Sequence, residues 1–331
     1  MLALVKTKRE LGAELQEIQT PKPGQGEALV RVHRASICGS DLPIYSWSSW
    51  APDRVHPPII FGHEICGQVA QLGKGVKRFK SGDRVAIESH IFCDNCASCL
   101  AGDRHLCRKM ALIGVDVNGG FAQYVVVPER VLWKLDSQMP YDHASLMEPM
   151  GNALYATCVE PVQGKTVLIM GCGPQGLYAI QIAKIKGASL IVAVEKSPYR
   201  AKLAKKLGAH YVFGSETSLK QLMEKLLSLK QTKEGFDVCL EMSGSSTLSK
   251  MAFQILRNGG RLSLFGITAG KMGIDLGEDI IFRGIRIYGI LGRKLFETWE
   301  ELDYLIRAGK VDLNSVVSHS FPLSGAIEAF K

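Results

Sequence analysis

Over the first ~150 residues, apolar and polar positions alternate in short stretches rich in β-branched residues. EALVRVHRAS (27–36), GQVAQLG (67–73), DRVAIES (83–89) and FAQYVVVP (121–128) end near Gly, Pro or Asp and read as short strands. They predict a small β-rich domain. Gly73 and Gly75 in LGKGVKRFKSGDRV predict a tight turn between two strands. The pattern changes after Pro149. From about residue 165, continuous apolar runs alternate with longer stretches of helical period. KTVLIMG reads as a buried strand, LYAIQIAKIKG as a helix, SLIVAVE as a second strand and PYRAKLAKKLG as a helix opened by proline. HYVFG, FDVCLEMSG, RLSLFG and IRIYGI read as further strands. Alternating strands and helices imply an α/β fold with a parallel sheet. The tail reads as helix (FETWEELDYLIRAG), strand (SHSFPL) and the start of a helix (SGAIEAFK).

Composition narrows this picture. A chain of 331 residues, 46% of them hydrophobic, can bury two cores, and its 34 glycines suit an enzyme with many tight turns. The net charge of +8 is spread out and densest over 196–233, where lysines alternate with apolar residues at helical spacing. These are solvated helix faces, and no nucleic-acid recognition module accompanies them. The opening MLALVKTKRELG is charged too early for a signal peptide. No apolar run approaches the ~18–20 residues of a membrane span. A soluble, cytoplasmic protein is expected. Nine cysteines then point to metal or reactivity rather than disulfides.

Gly171-Cys-Gly173-Pro-Gln175-Gly176 follows the strand VLIM and opens a helix. The first glycine suits a tight turn, the second the close approach of a pyrophosphate, and the third close helix–strand packing. Helix N-terminal amides then face the phosphates. Glu195 ends the next strand, nineteen residues after Gly176, where an acid accepts hydrogen bonds from the adenosine ribose and favours NAD over NADP. Arg200 lies five residues on, where it either packs beside the adenine or grips a 2′-phosphate.

Cys93, Cys96, Cys99 and Cys107 are spaced to give four thiolates to one tetrahedral structural zinc. A second set is dispersed. Cys38 opens CGSD, His63 and Glu64 follow Gly62 twenty-five residues on, and Glu148 precedes Pro149. Thiolate, imidazole and carboxylate can supply the three ligands of a catalytic zinc, although on residue types alone a lone His-Glu pair is more often a structural pair on a strand.

CGSD, GHE, the four-cysteine loop and GCGPQG, in this order, resemble the zinc-dependent medium-chain dehydrogenase family over essentially the whole chain. The resemblance implies a GroES-like catalytic domain at 1–150, rejoined by 293–331, and a Rossmann doubly wound NAD-binding domain at 151–292. It implies NAD and two zincs per chain. Cys38, His63 and Glu64 would hold the catalytic zinc, and Cys93, Cys96, Cys99 and Cys107 the structural one. Glu148 matches an acid that assists zinc or proton transfer, and Ser40 the hydroxyl that starts the proton path. Gln175, Glu195, Arg200, Phe265, Gly266, Ile267, Ile290 and Leu291 match cofactor-contact positions. ICGSDLPIYSWSSW, EPMGNAL and GRKLFETW resemble most the members that oxidise the secondary hydroxyl of L-threonine. A diol or polyol substrate and a non-catalytic NAD-binding descendant are the alternatives. The family implies a homotetramer. It also implies that relatives continue past EAFK to a final strand, whose absence would leave a sheet edge uncovered.

Position 43 departs from the pattern. Those threonine-oxidising members usually carry histidine there, and Pro43 can neither accept nor donate a side-chain proton. Three readings stay open: a relay through Glu148, cofactor ribose or water; a different hydroxyl substrate; or slow or lost catalysis. His90, just before the cysteine loop, reads either as a substrate-side group or as a hydrogen-bonded strand-end histidine. Trp47 and Trp50 read equally as lining of the substrate mouth or as packing.

Overall fold

The computed structural model describes residues 1–214, 218–268 and 270–331, divided into two compact units, 1–149 with 317–331, and 150–316.

The first unit is built on antiparallel strands. β1 (Leu2–Lys6), β2 (Glu14–Glu17) and β4 (Ile59–Ile60) form a three-stranded sheet in the order β2-β1-β4. β3 (Glu27–Ser36), β5 (Glu64–Leu72), β6 (Arg84–Ile87), β9 (Tyr124–Pro128) and β10 (Leu132–Lys134) form a second sheet in the order β10-β6-β5-β3-β9. β7 (His90–Ile91) pairs with β8 (Ala111–Leu112) beside the cysteine loop. The helices are short: α1 (Asp41–Ser46), α2 (Ala51–Arg54), α3 (Ala97–Leu100) and α4 (Tyr141–Ala144).

The core of this unit is aromatic. Phe61 meets Phe121 edge-on at 5.2 Å, and Phe330 reaches Phe61 at 5.4 Å and stacks on Tyr45 at 4.8 Å. The C-terminal helix α11 (Ala326–Ala329) thereby closes the cluster that α1 opens.

The second unit is a parallel sheet. β11 (Thr166–Met170), β12 (Leu190–Val194), β13 (Tyr211–Phe213), β14 (Phe236–Glu241), β15 (Leu256–Leu264) and β16 (Arg286–Gly289) lie in the order β13-β12-β11-β14-β15-β16. β11 and β12 are buried at every position, as strands of a covered parallel sheet must be. The helices of this region are α5 (Met147–Cys158), α6 (Pro174–Ile185), α7 (Pro198–Leu207), α8 (Leu219–Ser228), α9 (Ser246–Ile255) and α10 (Glu297–Arg307). The chain winds outward from β11 to β13 and returns to β14 on the other side of β11. A switch of direction therefore falls between β11 and β14.

Three expectations change. The connection from β5 to β6 does turn at Gly73–Val76, where the Val76 amide faces the Gly73 carbonyl at 3.5 Å, but it then runs on through 83 before β6 begins. Gly73 is required because a Cβ there would sit 1.7 Å from the carbonyl oxygen of Gly24, and Gly75 because its φ is +88°. SHSFPL is not a strand: it pairs with no neighbour among the described residues, and a lone strand leaves its backbone groups unpaired. The return to the first unit comes at Val317 rather than at 293, because α10 buries Trp299, Leu302 and Leu305 within the second unit.

Gly176 lies where α6 leaves the sheet, and a Cβ on it would sit 2.0 Å from the Gly171 carbonyl oxygen. Gly176→Ala is expected to destabilise the protein by about 1–3 kcal/mol through overpacking, read as a lowered urea midpoint.

Candidate active site and metal centres

Antiparallel pairing brings the dispersed set together. Ser36, the last residue of β3, lies opposite Glu64, the first of β5. Cys38 and His63 therefore leave the sheet side by side, although they are twenty-five residues apart. Gly62 has φ +88°, and a Cβ there would strike the Phe121 ring at 2.7 Å. Gly119 approaches so closely that its Cβ would lie 2.1 Å from the Gly62 carbonyl oxygen. Only glycines allow this crossing, which fixes the direction of His63.

The ligand atoms of Cys38, His63 and Glu64 all lie within 4.8 Å of one another. Burial pushes the Cys38 thiol up, and the Glu64 carboxylate adds to the effect. Burial and then the carboxylate of Glu148 push Glu64 up to about 8. Burial opposes charge on His63, but Asp41 and Cys38 outweigh it and raise the imidazole well above its ordinary value. Thiol, imidazole and carboxyl thus compete for protons in a dry site, and this donor set fits a zinc ion.

Asp41 was not among the residues singled out in the sequence. It is fully buried, its Oδ2 accepts the Cys38 amide at 2.9 Å, and its Oδ1 lies 3.5 Å from His63 Nδ1. One carboxylate therefore orients two of the three donors. The signal available was its place three residues after Cys38, the reach at which a side chain accepts an earlier amide.

Glu148 is buried in the first turn of α5, and its Oε1 accepts the Ser89 hydroxyl at 2.6 Å. That hydroxyl lies 3.2 Å from His90 Nδ1, which donates to Glu88 Oε1 at 2.6 Å. His90 is thus a hydrogen-bonded strand-end residue joined to Glu148 through Ser89. Ser89 and Glu88 were also missed, because neither residue type is distinctive alone. Ser40 is half-buried at the start of α1 and makes no capping bond. Pro43 occupies the first turn of α1, where an absent N–H costs no helical bond. Trp47 and Trp50 pack against the core beside Ile44.

The four-cysteine loop converges as well. Its sulfurs are 3.5 Å (Cys93–Cys107), 3.6 Å (Cys96–Cys99), 3.9 Å (Cys96–Cys107) and 4.0 Å (Cys93–Cys99) apart. Four sulfurs held ~2.3 Å from a central zinc are about 3.8 Å apart. The Cys93 and Lys109 amides donate to Cys107 Sγ at 3.3 and 3.4 Å. Backbone amides of Cys99 and Arg108 lower the Cys96 thiol to about 6, while burial raises Cys99 to about 12. Burial likewise raises Cys66 and Cys172 to about 12 and Cys158 to about 11, which leaves them inert as nucleophiles at neutral pH.

In the second unit the singled-out residues gather at the carboxyl ends of the strands. Gly171–Gly176 follow β11, Glu195 follows β12, Phe265 to Ile267 follow β15, and Ile290 and Leu291 follow β16. Glu195 Oε2 accepts the Cys172 amide and its Oε1 the Ser197 amide, both at 2.8 Å. A carboxylate has about four acceptor sites, so both oxygens can still take ribose hydroxyls. Arg200 lies 3.9 Å from Glu195. Gln175 Oε1 is buried without a hydrogen-bond partner, and the space above Gly173 is open. Ile267 and Leu291 are exposed apolar residues at the same strand ends. This arrangement fits a dinucleotide.

The alcohol dehydrogenase GroES-like domain family matches residues 24–137, and the zinc-binding dehydrogenase family matches residues 174–308. The L-threonine 3-dehydrogenase of Pyrococcus furiosus is 42% identical over 97% of this chain and 91% of its own length. The chain belongs to the zinc-dependent medium-chain dehydrogenase family. A solved zinc-binding dehydrogenase from Sinorhizobium meliloti, bound to NADP, superposes with TM-score 0.91 at 26% identity, covering 99% of this chain and 94% of its own. The 2R,3R-butanediol dehydrogenase of Bacillus subtilis does so with TM-score 0.87 at 30% identity, covering 99% and 94%. This dehydrogenase is therefore an oxidoreductase acting on a small-molecule alcohol. No helix among its described residues is long and apolar enough to cross a membrane.

With metal stripped, Cys96 is a thiolate above pH about 6, whereas Cys99 stays protonated up to about 12. Iodoacetamide at pH 7 is expected to label Cys96 before Cys99, at a rate that rises through pH ~6 and then levels off. Peptide mass spectrometry reads the order.

Proposed function

We propose that the protein oxidises the secondary hydroxyl of L-threonine to 2-amino-3-oxobutanoate, with NAD as hydride acceptor and a zinc ion held by Cys38, His63 and Glu64. The observation that carries this reading is the convergence of these three donors within 4.8 Å in a chain 42% identical to an L-threonine 3-dehydrogenase. Zinc supplies Lewis acidity that brings the pKa of a bound hydroxyl toward neutrality.

The chain's own groups do the rest. Asp41 holds His63 and the Cys38 amide in place. The network of Glu148, Ser89, His90 and Glu88 takes up the hydroxyl proton without a proton-carrying side chain at position 43, and Ser40 starts the path. Such a group is worth ~10²–10⁴-fold, so a bypass that retains it keeps substantial rate. Cys93, Cys96, Cys99 and Cys107 hold a second, structural zinc. In the second unit, Gly171, Gly173, Gln175 and Gly176 cradle the pyrophosphate, Glu195 binds the ribose, and Phe265, Gly266, Ile267, Ile290 and Leu291 line the cofactor. The repelling carboxylate of Glu195 supports NAD over NADP. We assign the enzyme to the cytoplasm as a homotetramer.

The butanediol-oxidising relative and Pro43 together support one alternative, a diol or polyol substrate. Nicotinamide absorbance on zinc-loaded protein decides, with L-threonine run beside glycerol, sorbitol and 2,3-butanediol. Turnover is expected with threonine and absent in Cys38→Ser. Turnover with a polyol alone moves the substrate. Silence with all four, despite bound NAD and filled zinc sites, leaves a non-catalytic descendant.

Glu195→Ala is expected to weaken NAD relative to NADP by about tenfold or more, the size of a lost charge-assisted hydrogen bond. Fluorescence titration of both cofactors reads the ratio of the two Kd values.

A further inference from the structure

We infer that Lys6 is a positioning residue for the candidate catalytic metal centre, because it ties together the two chain segments that carry the donors. The inference rests on the proposed role of Cys38, His63 and Glu64 as zinc ligands.

Lys6 ends β1 and is fully buried, and among the described residues no carboxylate hydrogen-bonds its ammonium, although Glu10 attracts it at longer range. Nζ donates instead to three backbone carbonyls: Glu10, Gly12 at 2.9 Å and Tyr45 at 2.9 Å. The ammonium also lies 5.3 Å from the centre of the Trp47 ring. Three donors meeting three acceptors satisfy the group, but burying a charge in this way is costly and calls for a return.

The return lies in what the carbonyls belong to. α1 carries Asp41 at its start and Tyr45 near its end. It has six residues, about 9 Å of helix, far below the ~12–15 that sustain themselves in water. Ser40 gives it no side-chain cap. Ile44 packs its middle into the core, and polar contacts fix its two ends. At the first, Asp41 holds His63 and the Cys38 amide. At the second, the Tyr45 carbonyl is held by Lys6 Nζ and by the Gly12 amide at 2.8 Å. A cation there also complements the helix C-terminus. Trp47 caps the helix at φ 52°, ψ 51°, a left-handed conformation unusual for a bulky residue, beneath the same ammonium.

The other segment is fixed by the Lys6 backbone. Lys6 lies opposite Ile59 in the β1–β4 pair, and Ile59 stands four residues before His63. One residue thus holds the His63–Glu64 limb through its main chain and the Cys38–Asp41 limb through its side chain.

The test follows zinc protection of individual cysteines in the full chain. Metal-stripped protein is titrated with buffered zinc, pulsed with iodoacetamide at alkaline pH, where Cys38 labels in the zinc-free protein, and read peptide by peptide. Cys38 reports the candidate catalytic site, and Cys93 and Cys96, whose thiols titrate lower than usual, are the internal control. Lys6→Met is expected to raise the zinc concentration that half-protects Cys38 by about 10–100-fold, the usual cost of losing a partner behind a metal ligand. The four-cysteine loop and NAD affinity are expected to stay unchanged, and kcat to fall more than KM rises. Unchanged protection of Cys38 in Lys6→Met overturns the inference. Should Lys6→Met not fold, Trp47→Leu carries the test, with an expected shift of about three- to tenfold, and no shift there overturns it. If zinc never protects Cys38 in the unmodified chain, the metal-site reading fails and this inference with it. Protection in the unmodified chain that Lys6→Met leaves unaltered defeats the inference alone.

Discussion

A thiol, an imidazole and three carboxyl groups share one buried space in the first unit. Cys38 and Glu64 cannot both carry their ordinary negative charge there, because burial penalises each charge and the neighbouring carboxylates repel them, while Asp41 and Cys38 favour the charged imidazole of His63. Two relaxations exist. Protons can be retained, as the upward shifts of Cys38 and Glu64 show, or a cation can occupy the centre. Much of the unit serves to hold this frustrated group together. The Ser36–Glu64 pairing sets the donors side by side, the glycine crossing at Gly62 and Gly119 aims His63, and α1 presents Asp41.

The two clusters of potential ligands illustrate different physics. The four cysteines lie within fifteen residues, and their loop folds back through α3 and local amide–sulfur bonds. Such a site needs little outside help. The dispersed trio depends on long-range pairing, close glycine contacts and a helix too short to stand alone. Its geometry is consequently exposed to changes far from the donors.

The second unit meets its requirements with backbone chemistry. Its parallel strands bring the turns and helix starts that carry the singled-out residues to one end of the sheet, since parallel strands all end on the same side. Carboxylates stitch that end. Glu195 binds the loop after β11, and buried Glu241 accepts the Ser243 and Gly244 amides at 2.8 and 3.1 Å. Glu195 is therefore part of the scaffold as well as a candidate ribose ligand, a double role that residue type alone does not reveal.

The α/β alternation, the four-cysteine loop and the glycine turn before α6 were legible in the chain because each is local: a period, a spacing or a dipeptide context carries the signal. GHE and CGSD could be named as candidates for the same reason. Their convergence could not be read from residue types, since it depends on the register of β3 against β5. Asp41, Glu88, Ser89 and Lys6 went unmarked because their importance lies in partners distant in sequence or common in type. SHSFPL has a strand's alternation but pairs with no strand among the described residues. The sequence by itself determined the elements and the chemistry available to them. Tertiary structure alone decided which groups share a dry, crowded space, because burial and repulsion act on distance through space and not along the chain.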